Sequence, residues 1–294
     1  MSFYSGYVDN SGGVLAHYEM LRVIKEKCEL EGWTTLRYDT VPANRELIMR
    51  APGLSGTIDY YCGIRTYQDA GADYYNLCAA GFTGYIAGNT FDTQPGAVLS
   101  GVPAHNQRID YWLAVNGQRL VLVMKVGTPV YETMYLGRFN TYAMPSTWPY
   151  PVVCAGMLNG AAATRFSDTN HSMPFKGGRV NMRVRNQVGA WVQPECWPWY
   201  GQTRGAGDIV NNTTSLGGFA VRPTDAVAPA QYSLDPVIVM QSGVGVFGEL
   251  DGVYKITGFD NAVENEITIG GTSYIVIQDV WRTGFGDYFA LRKD

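Results

Sequence analysis

Charge is what this sequence has least of. Asp, Glu, Lys and Arg together make 16% of its 294 residues, against roughly 25% in an average soluble protein. The net charge is −4 and no run of Lys or Arg occurs. That argues against a nucleic-acid partner, because neutralising a phosphate backbone takes a basic patch. The local cluster Arg179, Arg183 and Arg185 alternates with period two, which sets all three on one face of a strand that is expected to be solvated or subunit-facing.

Histidine is scarce as well: His17, His105 and His171 have no second His or Cys at metal-ligand spacing. There is no C-x-x-C, H-E-x-x-H or G-x-S-x-G, so neither zinc chemistry nor a Ser–His hydrolase has a sequence foothold. The expectation is therefore no catalytic residue, no cofactor and no metal site. Five cysteines, Cys28, Cys62, Cys78, Cys154 and Cys196, are odd in number and scattered, and read as reduced small hydrophobes. The longest apolar runs, such as Leu120 to Met124 and Pro236 to Met240, fall far short of the about 18 residues that span a bilayer, so no membrane partner is expected. Met1 to Gly6 has neither the basic start nor the apolar stretch of a secretory signal, which points to folding in a cytoplasm.

Three weak signals for chemistry remain. Gly243-Val244-Gly245-Val246-Phe247-Gly248 matches G-x-G-x-x-G, but a dinucleotide loop needs a helix behind it. The residues after Gly248 combine an Asp-Gly turn with strand alternation, so a glycine-rich β-turn is favoured. Carboxylate pairs such as Glu249 with Asp251 could serve a glycosidase, although 26 acidic residues make such pairs unavoidable. Asp260, Asn261, Glu264 and Glu266 could offer oxygen ligands to a hard cation but depart from a spaced Ca²⁺ loop and read as a polar loop.

Aromatic residues are abundant, 13% of the chain with 20 Tyr and 7 Trp. Such side chains give large contact area at little entropic cost and are enriched in interface anchors. Apolar positions at Val14, Leu15, Tyr18, Leu21, Ile24 and Cys28 form the stripe of an amphipathic helix, with Asn10 or Ser11 as caps and Gly32 as the stop. Beyond Trp33 the period becomes two, predicting strands at 34–38, 46–50 and 60–65. Asn116-Gly117 between 111–115 and 118–126 predicts a hairpin with a type I′ turn. From about Asn140 to Gln231 eight prolines interrupt aromatic clusters, the pattern of long ordered loops that serve a binding surface. Strands return at 236–240, 252–257, 266–269, 273–279 and 287–292, with Gly270-Gly271 as a second hairpin signal.

These features predict a mainly β fold of short antiparallel strands and hairpins, sandwich- or barrel-like, with one N-terminal amphipathic helix and long ordered loops. The segments are an N-terminal arm and helix (1–32), a β domain (33–140), a Pro/aromatic-rich loop region that could be an insertion (141–235) and C-terminal hairpins packing on the β domain (236–294). The candidate interface residues are Trp148, Tyr150, Trp197, Trp199 and Tyr200.

The strings Gly32 to Tyr38, Ala51 to Gly56, Gly63 to Asn76, Gly81 to Tyr85, Ala114 to Arg119, Lys125 to Glu132, Tyr135 to Gly137, Pro149 to Pro151, Gly248 to Tyr254 and Arg282 to Arg292 resemble a family of virion structural proteins of tailed bacteriophages. The resemblance spans nearly the whole chain and is weakest from about Ala161 to Ala230. It implies a non-enzymatic structural subunit of the tail, at the baseplate or tail-tip end, that connects the tail tube with peripheral baseplate parts. Its implied partners are other tail proteins and copies of itself, with assembly in the host cytoplasm and final residence in the virion. It supplies no catalytic motif. A different class is a carbohydrate- or receptor-binding module of the tail that stacks ligands on the aromatic clusters, and a third is a tail-borne cell-wall hydrolase resting on the acidic residues.

Overall fold

The computed structural model describes residues 1–56, 59–142, 152–161, 163–168, 171–176, 181–199, 232–241 and 243–294. Strand β1 (Ser2–Val8) and helix α1 (Ala16–Leu30) come first. They are followed by β2 (Thr34–Asp39), β3 (Glu46–Ala51), β4 (Tyr60–Asp69), β5 (Tyr74–Phe82), β6 (Val98–Pro103), β7 (Ile109–Val115), β8 (Arg119–Lys125), β9 (Tyr131–Arg138) and β10 (Asn140–Thr141). The remainder is β11 (Val152–Gly156), β12 (Asn181–Arg185), β13 (Trp191–Val192), β14 (Glu195–Trp197), β15 (Asp235–Gln241), β16 (Gly245–Ile256), β17 (Glu266–Ile269), β18 (Thr272–Gln278) and β19 (Tyr288–Arg292). The fold is mainly β with a single helix near the N-terminus among the described residues, as the periodicities predict.

The strands form three antiparallel sheets. A central sheet runs β1-β7-β8-β9-β11-β12-β13, a second runs β2-β3-β4-β5-β6, and a third runs β14-β15-β16-β19-β18-β17 with β10 also paired to β16. Strand β8 explains the layering: Leu120, Leu122 and Met124 face one core, and Val121 and Val123 face the other. An unbroken apolar run of strand length suits a strand covered on both sides. The first core holds the buried face of α1 and residues of the second sheet such as Leu47, Cys62, Ile64 and Leu77. The second core holds residues of the third sheet, among them Val237, Val239, Phe289 and Leu291.

Helix α1 follows its predicted stripe but not its predicted caps. Leu15 is the N-cap and makes no side-chain capping bond; the Ala16 N–H donates instead to the Asn106 carbonyl at 3.0 Å. Asn10 closes an earlier turn onto Gly13, and Ser11 bonds to Asp9. At the other end Gly32 has a φ of +84°, and the N–H groups of Gly32 and Trp33 bond back to Glu29 and Cys28 at 3.1 Å, a Schellman stop.

Part of 141–235 is built into the sheets: β11, β12 and β13 extend the central sheet and β14 the third, while 163–168 and 171–176 are turns and irregular chain. The N-terminal arm likewise supplies β1, which pairs with β7 from Ser2↔Val115 to Val8↔Ile109.

Candidate functional site

One turn ties the three sheets together. In the loop between β7 and β8, the Asn116 Oδ1 accepts from the backbone N–H groups of Gln118 and Arg119 at 2.9 and 3.0 Å. Neither Asn116 nor Gly117 has a positive φ, so the predicted type I′ geometry is not the one adopted. Gly117 is required for another reason: a Cβ there would lie 2.7 Å from the Gly53 carbonyl oxygen. The turn's own carbonyls accept from Trp33, just before β2, and from the second sheet: Asn116 from Trp33 Nε1 at 2.8 Å and Gly117 from the Tyr60 hydroxyl at 3.2 Å.

The third sheet reaches the same turn through Asp251. Its Oδ2 accepts from Asn116 Nδ2 at 2.8 Å, Gln118 Nε2 at 3.2 Å and Arg119 Nε at 3.1 Å. The Arg119 side chain is fully buried and also donates to the Ala114 carbonyl. Burial alone would raise the Asp251 pKa, but the Arg119 charge and the donated hydrogen bonds hold it below the usual carboxylate value. Gly252, at φ +75°, leaves the room: a Cβ there would lie 2.3 Å from the guanidinium. Strand β16 also changes neighbour there, pairing with β10 up to Glu249 and with β19 from Val253.

A second polar cluster lies between β9 and the start of the β18–β19 connection. Glu132 and His171 are both fully buried and 2.8 Å apart. Burial and the nearby Asp279 raise the Glu132 pKa well above its ordinary value, while burial and Arg282 push His171 down to about 4. Both shifts favour the neutral forms over an ion pair. Buried Asp279 accepts from the Met173 N–H at 2.6 Å and from Lys176 Nζ at 3.1 Å, and Lys176 also pairs with Asp287. Asp279 and Lys176 pin the segment around Met173 to the third sheet, while Glu132 Oε2 and His171 Nδ1 are buried without a hydrogen-bond partner among the described residues.

Of the predicted interface residues, Trp148, Tyr150 and Tyr200 lie outside the described residues. Trp197 is half-buried on β14, an edge strand of the third sheet. Trp199 is 3% exposed, packs against Phe175 and donates its Nε1 hydrogen to the Gly286 carbonyl at 2.8 Å. Its ring belongs to the second core, which corrects its reading as a free stacking platform. Arg183 and Arg185 share one face of β12 as alternation requires, whereas Arg179 lies outside the described residues.

The other signals resolve as turns and pairs. Residues 243–244 form the tight β15–β16 turn, with the Val244 N–H bonded to the Gln241 carbonyl, and Gly245 and Gly248 lie within strand β16, where a nucleotide loop would need to lead into a helix. In the acidic loop, Glu264 accepts from Lys125 and Tyr131 at 2.6 and 2.5 Å, and Glu266 pairs with Lys293. No cluster of His, Cys, Asp or Glu suited to a metal occurs among the described residues. No helix among them is long and apolar enough to cross a membrane.

What the sequence reading missed is the surface at β1. Ser5, Gly6 and Tyr7 are exposed at the open edge of the central sheet, with Tyr7 57% exposed and Arg108 stacked 4.2 Å from its ring centroid. Two shallow grooves meet at Tyr7. One, of about 320 Å³, lies on the helix side between Val8, Val14, Glu19 and Arg22. The other, of about 380 Å³, lies on the opposite face between Ser5, Asp110, Trp112, Lys125 and Glu264. The available signal was Phe3, Tyr4, Tyr7 and Val8, four strand-favouring residues in seven.

No protein-family model matches the chain, and the search of curated proteins finds no match to it.

Proposed function

We propose that the chain is a non-enzymatic structural subunit of a bacteriophage tail, at the baseplate or tail-tip end, that links the tail tube to peripheral baseplate parts. The observation that carries this reading is a convergence. Four of the strings that resemble tail structural proteins, 32–38, 51–56, 114–119 and 248–254, are far apart in sequence and supply Trp33, Gly53, Asn116 to Arg119 and Asp251 to one node. The resemblance thus falls on residues that join three layers into one frame, which is where a shared architecture constrains a sequence most.

A frame of this kind suits a part that transmits force between neighbours. Its polar groups at the node and around Asp279 are committed to holding elements together. The test is peptide mass spectrometry of purified particles, with the chain then located by labelled imaging. The chain should be found in the tail near its distal end, and particles that lack it would overturn the reading. The tail glycan- or receptor-binding alternative is supported by Trp197, which is half-buried on an edge strand. Glycan-array binding that is lost in Trp197→Ala would favour it.

A further inference from the structure

We infer that β1 is a self-association edge, pairing antiparallel with β1 of a second copy about a two-fold axis at Ser5. The inference rests on the structural-subunit reading and names the surface through which copies of the chain meet.

Natural sheets protect their open edges with charge, proline, bulges, short length or a covering segment, because unpaired N–H and C=O groups recruit another strand. The other edges among the described residues carry such guards. Strand β2 has Arg37, Asp39 and a register shift between Thr35 and Arg37. Strand β6 ends in Pro103 and is bridged from Ser100 to Gly160. Strands β13 and β14 are two and three residues long, and β17 is four residues long with Glu266 at its start. Strand β1 has none of these: Ser-Phe-Tyr-Ser-Gly-Tyr-Val is seven residues without a charge or a proline, and its register with β7 is continuous.

The same strand is complementary to itself. Antiparallel pairing centred on Ser5 sets Phe3 opposite Tyr7, an aromatic cross-strand pair repeated on both sides of the axis, and Tyr4 opposite Gly6. Charges of both signs flank the strand at each end, Lys27 and Glu31 beside Tyr4 and Arg108 paired with Asp110 beside Tyr7, so the pairing brings no uncompensated like charges together. Residues of the added strand alternate between the two faces and would enter the two grooves that meet at Tyr7. A contact that uses the same patch on both copies closes as a dimer and does not propagate.

The test is sedimentation velocity on the full chain across a concentration series, together with Ser5→Lys and Ser5→Cys. Wild type should show a monomer–dimer equilibrium. Ser5→Lys, which brings like charges face to face, should weaken it about fivefold or more without lowering the melting temperature. Because the five native cysteines are buried, oxidation of Ser5→Cys should trap a covalent dimer through the exposed position, since directly opposed Cβ atoms approach disulfide range. Wild type that stays monomeric with no trapped dimer overturns the inference. So does an oligomer that Ser5→Lys leaves unchanged, which would put the interface elsewhere and leave the structural-subunit reading standing. Absence of the chain from purified particles defeats that reading whatever β1 does.

Discussion

At the scale of single residues, two kinds of buried ionisable group behave oppositely. The buried Arg119 guanidinium faces Asp251 at 3.1 Å, and removing the carboxylate leaves a buried guanidinium with no counter-charge. Asp251→Ala should therefore cost about 3–5 kcal/mol, whereas replacing both partners by apolar residues of similar volume should cost much less. Urea unfolding of the two variants checks this, and equal losses would show that the pair acts only by filling space. His17 and His171 instead stay neutral, with burial pushing both down to about 4 from 6.5. The unfolded chain binds protons at these imidazoles at a higher pH than the folded one, so stability is full above about 6.5 and falls as pH drops toward 4. Each imidazole contributes up to about 3 kcal/mol across that window. Glu132 has the opposite sign: its raised pKa gives stability at low pH that is lost as pH rises above the ordinary Glu value. Melting curves of His17→Phe should show a shallower loss between about pH 6.5 and pH 4 than wild type, and an unchanged slope would contradict the assignment.

At the scale of elements, the two hairpin turns separate what local sequence determines from what it does not. Gly270 and Gly271 have φ values of +60° and +85° with open space around them, so the Gly-Gly signal worked through backbone conformation alone. Asn116-Gly117 marked its hairpin correctly, but its glycine is needed because the Gly53 carbonyl, far away in sequence, comes within 2.7 Å of where a Cβ would be. Gly270→Ala should cost about 1 kcal/mol through φ. Gly117→Ala should cost about 1–3 kcal/mol by forcing the second sheet away from the turn, and should also weaken the Trp33 hydrogen bond, visible as a shift in Trp fluorescence. If Gly117→Ala proves as mild as Gly270→Ala, the close approach is not maintained in solution. The same division runs through the rest of the fold. Helix α1, the strands with clear alternation and both hairpin positions were legible because periodicity and turn chemistry are local. The cap of α1 was not, since its donor bonds to Asn106. Trp199 misled because the residues that enclose it, Phe175 and Gly286, are distant in sequence. Strand β1 escaped because its aromatics do not alternate with polar residues.

At the scale of the whole molecule, the central sheet belongs to two cores at once, and this decides how the chain unfolds. Leu122 and Val123 are adjacent residues of β8, yet one packs toward α1 and the second sheet and the other toward the third sheet. Neither outer layer can leave without exposing an apolar face of the central one, at roughly 25 cal/mol for each Å² uncovered. The segments 33–140 and 236–294 are therefore not expected to unfold as separate units, although sequence spacing alone sets them apart. Leu122→Ala in the first core and Val237→Ala in the second should each lower the stability of the entire chain, by about 2–5 kcal/mol for the leucine and less for the valine. Both should do so while retaining a single transition in which circular dichroism and Trp fluorescence coincide. The node at Asn116 to Arg119 predicts the same coupling, since it bonds to Trp33 and Tyr60 on one side and Asp251 on the other. If Val237→Ala splits the melt into two steps, with the third sheet lost first, then the layers are joined more weakly than their shared core implies. The chain would then be a rigid two-layer body carrying a detachable sheet, a different mechanical part from a single three-layer frame.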